Sequence, residues 1–189
     1  MAVDSPARER ILATAYELFS RRGVRAVGVD TIIAESGVAK MTLYRHFASK
    51  DELVLAFLAQ REERWTRGWL EAEVRARATG GRERLLAIFD VFDEWFQRDD
   101  FEGCSFINVL LEMPARDSPL NRACAEHLVV IREFLAELAT DAGVADPDEL
   151  ARRWHILMKG SIVAAAEGDR AAARSAREVG ALVLASLLP

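Results

Sequence analysis

The chain has 189 residues, 51% of them hydrophobic and 29% charged, a balance that excludes a disordered polyelectrolyte and allows a sizeable core. No stretch approaches the roughly 18 consecutive apolar residues of a membrane span, and Arg8, Glu9 and Arg10 interrupt the start of the chain where a secretory signal needs an apolar run; no membrane partner and a cytoplasmic location are therefore expected. The net charge of −5 hides a polarity: residues 1–50 hold eight basic and five acidic side chains, residues 51–189 seventeen and twenty-five, and a basic head on an acidic body suits a local DNA-facing surface.

In chain order the pattern is helical almost throughout, without the period-2 alternation of a strand. Ser5-Pro6 opens the first helix, with proline where its missing N–H costs nothing. Ile11, Leu12, Ala15, Leu18 and Phe19 then line one face, and Arg21-Arg22-Gly23 closes it. Two short helices are expected at 29–36 and about 39–47, separated by a tight turn at Gly37. Ser49-Lys50-Asp51-Glu52 is a capping box ahead of a long helix to about Ala78, and Thr79-Gly80-Gly81 breaks it. Further helices are expected at about 82–98, 104–113 (limited by Pro114), 119–142, 147–166 and from beyond Gly168-Asp169 to near Leu188. For the eighth of these nine helices, Asp146-Pro147-Asp148-Glu149 offers an Asp cap, a first-turn proline and a reciprocal Glu. The fold class is all-α: an N-terminal three-helix helix-turn-helix domain over residues 1–50, and a C-terminal helical bundle over 51–189.

The functional signal lies between Val29 and Lys50. A short helix, a glycine turn and a second short helix make a helix-turn-helix, whose second helix enters the major groove. Leu43 and Phe47 anchor that helix, whereas Lys40, Thr42, Tyr44, Arg45 and His46 cannot all be core. Lys40 and Arg45 reach phosphates or guanine edges; Thr42 and Tyr44 donate to phosphate oxygens or touch a thymine methyl. Lys50, at the start of the next helix, can set its ammonium beside a phosphate. A solvated polar face on a small bundle is the competing explanation.

These residues resemble the tetracycline-repressor (TetR) family. The likeness rests on Ile11 to Phe19, Gly23, Gly28 to Gly37, and above all Gly37 to Leu53, with Thr42-Leu43-Tyr44-x-His46-Phe47-x-x-Lys50 at its centre. The resemblance implies that Lys40, Met41, Thr42, Tyr44, Arg45, His46 and Lys50 face DNA, and more weakly Thr31. His46 and Phe47 serve equally well as packing residues. It further implies nine or ten helices, a homodimer through the last two, an effector inside the C-terminal domain, and release of an inverted-repeat operator when that effector binds. The segment from Glu102 to Asn108, followed by Glu112, resembles a pattern of one large subset of the family.

In the body, aromatic residues crowd the middle of the chain, where core packing and an apolar ligand pocket are both open. The residues expected to line a pocket are Trp65, Trp69, Phe92, Trp95, Phe96, Cys104, Asn108, Met113 and His127, with Asn108 and His127 as polar handles; the expected effector is aromatic or lipophilic. Cys104 and Cys124 are read as small buried hydrophobes, with a redox role for Cys104 the minority alternative. Leu150, Trp154, Leu157, Met158 and Ile162 form one apolar stripe, and Val179, Leu182, Val183 and Ser186 another; they either pair across a twofold axis or close the protomer core. No HExxH, GxSxG, P-loop or GxGxxG occurs, so no catalytic residue, metal ligand or cofactor is assigned. The rivals to a ligand-responsive repressor of double-stranded operator DNA are an enzyme, a nonspecific DNA-packaging protein and a sensor acting through protein partners.

Overall fold

The computed structural model describes residues 5–113, 115 and 117–187. The limiting Pro114 and the expected helix end at Leu188 lie outside them. The described chain is all-α, in the order α1 (Pro6–Arg22), α2 (Val29–Ser36), α3 (Lys40–His46), α4 (Lys50–Arg61), a π-helical segment (Glu62–Glu71), α5 (Ala72–Arg77), α6 (Gly81–Phe96), α7 (Ser105–Glu112), α8 (Pro119–Asp141), α9 (Pro147–Ala166) and α10 (Ala172–Leu187). Since α4, the π segment and α5 succeed one another without a non-helical residue, the described residues form nine uninterrupted helical runs.

The caps explain where helices begin. Ser5 Oγ accepts from Arg8 N–H (3.3 Å), Ser49 Oγ from Glu52 N–H (3.1 Å) and Asp146 from Glu149 N–H (2.9 Å). Glu52 reaches back to Ala48 N–H (2.6 Å), one residue before the cap. Glu149 does not complete the expected box: its carboxylate takes Arg152 and Arg153 instead. A surface carboxylate within reach of two guanidiniums gains more from charge-assisted bonds than from one backbone donor. Those bonds, Arg152 first, hold its pKa below the usual value.

The long helical run departs from a plain α-helix at Glu62–Glu71. Gly68 sits in this segment, where an added Cβ would stand 2.9 Å from the Glu63 carbonyl oxygen. A residue without Cβ lets that carbonyl approach, which permits the wider winding.

The chain packs as two compact units, 1–62 with 105–127, and 63–104 with 128–189. These packing units are not the segments 1–50 and 51–189; a packing boundary and a functional boundary answer different questions. In the first unit, Ile11, Ala15, Leu18 and Phe19 of α1 are buried with Ile32, Leu43, Phe47, Leu53, Phe57 and Leu58. Phe57 meets Phe19 and Tyr16 edge-on at 5.5 and 5.4 Å, and Arg61 donates to the Tyr16 hydroxyl (3.0 Å). In the second unit, α6, α9 and α10 pack on one another. Trp154 is buried between Phe89, 5.4 Å away, and Gly180, where any Cβ would come within 2.7 Å of the indole. Ion pairs such as Arg77–Glu94, Arg174–Asp93 and Arg177–Asp90 fringe this unit.

Candidate nucleic-acid interface and effector residues

Gly37 adopts φ +66°, and its N–H closes α2 on the Ile33 carbonyl (3.1 Å). Left-handed geometry is open to glycine at little cost, and it turns the chain sharply from α2 into α3. Helix α3 then divides by face. At about 100° per residue, Lys40, Met41, Tyr44 and Arg45 fall within an arc of about 140°. All four are exposed, Met41 at 79%. Leu43, on the opposite side, is buried, as is Phe47 at the cap. An exposed Met and Tyr cost hydration free energy in an isolated head, so their position beside two cations marks a surface shaped for a partner.

The other expected DNA-facing residues are placed differently. Thr31 and Thr42 are half-buried. His46 Nε2 lies 3.1 Å from Ser5 Oγ. The hydroxyl that accepts from Arg8 N–H can donate its own hydrogen to that nitrogen, which ties the end of α3 to the start of α1. Lys50 donates from Nζ to the Val24 carbonyl (2.6 Å). Burial holds this ammonium below its usual pKa, against the opposing charges of Glu112 and Asp51. One of its three donors is thus engaged in the α1–α2 loop, and two remain for a phosphate.

That loop has a second anchor. Glu112, at the end of α7, accepts from Arg25 N–H (2.7 Å). Gly23 adopts φ +77°, and an added Cβ would meet Glu112 Oε1 at 2.5 Å. The backbone conformation favours glycine here, and the carboxylate uses the space a Cβ would take. Sequence reading singled out Glu112 only as part of a resemblance; nothing local tells that it closes on a loop 87 residues earlier.

Of the expected pocket residues, the second unit brings six together or near. Trp65, Trp69, Phe92, Trp95 and Phe96 form a continuous ring cluster, with Trp65 5.5 Å from Trp69 and 5.0 Å from Trp95, and Phe92 5.5 Å from Phe96. Phe101 joins it, 4.9 Å from Trp95. Cys104 is a buried thiol of the same unit. Asn108, Met113 and His127 belong to the first unit. Asn108 is exposed and Met113 half-buried. His127 pairs through Nδ1 with Glu62 and lies against the Phe106 ring at 5.0 Å, so its polarity is met inside the protein.

The stripe expected to pair across a twofold axis splits. Leu150, Trp154, Met158 and Ile162 are buried within the protomer, because this is the face of α9 on which α6 and α10 pack. Leu157 and Val183 are half-buried, and Val179, Leu182 and Ser186 exposed. The open apolar face consists of Ile156 (70% exposed), Leu157, Val163, Val179 and Leu182 (73% exposed), and two shallow apolar grooves run along it. Ile156 and Val163 lie on this face, outside the stripes read from the sequence.

Among the described residues no helix is long and apolar enough to cross a membrane, and no group of three His, Cys, Asp or Glu side chains stands ready for a metal.

Residues 11–57 match the family model described as bacterial regulatory proteins, tetR family, and residues 81–179 the model of a tetracyclin repressor-like C-terminal domain. The fold is similar to that of a TetR-family transcriptional regulator from Streptomyces coelicolor, with a TM-score of 0.88 and 30% identity over 98% of this chain and 91% of that one. A TetR transcriptional regulator from Chloroflexus aurantiacus gives 0.80 and 25% over 95% and 94%. In sequence, 92 residues are 37% identical to the HTH-type transcriptional activator FasR of Mycolicibacterium smegmatis, covering 49% of this chain and 41% of FasR, so the match spans less than half of that relative. The HTH-type transcriptional regulator YjdC of Escherichia coli is 22% identical over 82% of this chain and 81% of its own length.

Proposed function

Since the chain belongs to the TetR family of bacterial regulatory proteins, we propose that this transcriptional regulator is a homodimeric repressor, released from an inverted-repeat operator by a small molecule bound in its C-terminal domain. The family makes it a DNA-binding regulator and not an enzyme. The observation that carries the finer reading is the exposed face of α3, where Lys40, Met41, Tyr44 and Arg45 stand together beyond a buried Leu43. Tyr44 and Met41 suit thymine methyls and sugar edges; Lys40 and Arg45 suit phosphates and guanine. Thr31, Thr42 and Lys50 complete the contact set, and His46 positions α3. Functionally, residues 1–50 act as the DNA-binding part and 51–189 as the effector and dimer part, in the cytoplasm.

The dimer uses the open face of α9 and α10, from Ile156, Leu157 and Val163 to Val179, Leu182, Val183 and Ser186. Twofold symmetry then sets two α3 helices into major grooves one helical turn apart, about 34–36 Å. The aromatic cluster around Trp95, with Cys104, supplies the apolar wall of the effector site. A ligand weakens DNA binding only by favouring a protomer arrangement that the operator disfavours. FasR is named an activator, so the sign of regulation needs its own measurement, a reporter assay with and without the protein.

Selection from random duplex DNA with the purified chain tests the reading. An enriched inverted repeat with half-sites one turn apart supports it. Binding that tracks salt alone, with no enriched motif, replaces it with nonspecific packaging.

A further inference from the structure

In an acidic body most cations find a carboxylate. In the second unit Arg75, Arg77, Arg84, Arg98, Arg174 and Arg177 each do. Two do not. Arg132 of α8 and Lys159 of α9 are both half-buried, and neither has an ion pair or hydrogen-bonded acid among the described residues. They are not scattered. His155 lies one turn before Lys159 on α9, on the same face, and Arg132 stands close enough that its charge bears on both. His155 is only 3% exposed, yet its Nδ1 has no hydrogen-bond partner.

A buried polar nitrogen without a partner costs about 1–3 kcal/mol, and unpaired cations facing each other add repulsion. Burial and the charges of Lys159 and Arg132 together push the His155 pKa down to about 3. The thiol of Cys104 partly offsets the lowering of the Lys159 pKa by burial and by Arg132. A protein keeps such an uncompensated cluster when something else supplies the negative charge. Around it the same helices bury Leu128, Leu135, Trp154 and Met158, so the charge would arrive on an apolar body.

We propose that Arg132, His155 and Lys159 form the polar end of the effector site and bind a carboxylate carried on an apolar body. The planar fork of Arg132 takes two carboxylate oxygens, Lys159 supplies a point charge, and His155 donates from Nδ1. This assignment rests on the effector-binding reading above and replaces a purely lipophilic ligand with an amphipathic acid.

The test titrates the full chain with octanoate, with 1-octanol as its uncharged match and inorganic phosphate as a third probe. Tryptophan fluorescence and melting temperature are followed in the wild type, Arg132→Gln and Lys159→Met. Octanoate is expected to bind about tenfold or more tightly than octanol. Either substitution removes that margin and leaves octanol binding unchanged, and Lys159→Met raises the melting temperature of the unliganded protein. Equal binding of octanoate and octanol, or a margin that survives both substitutions, overturns the proposal. Phosphate binding as strong as octanoate overturns the apolar-body part. Operator affinity, measured with the same ligands, separates the two readings. A carboxylate margin without operator release keeps the anion site and removes the effector role; equal release by octanol and octanoate keeps the effector role and removes the anion site.

Discussion

Single side chains set two sharp expectations. The Glu112 carboxylate holds Arg25 N–H and neighbours the Lys50 ammonium, so it fixes the loop that precedes α2. Glu112→Ala is expected to lower stability by about 1–3 kcal/mol, the range for removing a charged acceptor from a backbone donor. It should also weaken operator binding without touching α3; urea melts and fluorescence anisotropy on the selected operator measure both. Operator affinity equal to wild type would mean the loop does not govern α3. For His155 the sign follows from its depressed pKa, about 3 against an ordinary 6.5. Between those values the unfolded chain binds a proton that the folded chain refuses. Stability is therefore whole above pH 6.5 and declines as pH falls toward 3, by about 2 kcal/mol at pH 5. His155→Phe should flatten that part of the profile relative to wild type. A wild-type slope that persists in the variant would show that other groups, and not this imidazole, carry it.

At the scale of elements, the sequence was most readable where a cap sits beside the helix it starts. Ser5, Ser49 and Asp146 each hold the N–H three residues on, as their local pattern implied, because such bonds involve neighbours in the chain. What depends on a distant partner was not readable. Glu62 meeting His127 joins residues far apart in sequence. The π-helical segment was missed although Gly68 was in plain view, because a mid-helix glycine signals only that something there excludes a Cβ. Gly68 yields a prediction with an unusual sign. In an ordinary exposed helix Gly→Ala stabilises by about 0.5–1 kcal/mol. Here the new Cβ would stand 2.9 Å from the Glu63 carbonyl oxygen, so Gly68→Ala should lower the melting temperature instead. A rise would show that the wide winding relaxes to an α-helix without penalty.

For the whole molecule, the two sides of α9 separate folding from assembly. The stripe read on α9, from Leu150 to Ile162, takes in its buried side and leaves out Ile156 and Val163. Trp154, packed on Phe89 and Gly180, belongs to the protomer, and Trp154→Ala should cost about 3–5 kcal/mol, a large share of an ordinary domain's stability, read as a lowered melting temperature. Ile156 and Leu182, open to solvent, are assigned to the proposed dimer. Ile156→Glu with Leu182→Glu should leave the circular dichroism and melting curve of the protomer intact, yet give a single-protomer mass in sedimentation equilibrium at micromolar concentration. Affinity for the inverted repeat should fall at least about a hundredfold with it, since two tethered heads bind far more tightly than one. A double variant that still sediments as a dimer would move the interface elsewhere.

The ring cluster has an optical consequence. Three of the chain's four tryptophans, Trp65, Trp69 and Trp95, lie within 5.0–6.0 Å of one another, while Trp154 is buried against Phe89. Indoles that close share their excited states, so their transitions couple and split, and emission from one is quickly passed to the next. The protein therefore carries a built-in chromophore array whose circular dichroism in the ultraviolet depends on the angles between rings. A guest that tilts a single indole would rewrite that spectrum before any promoter responded.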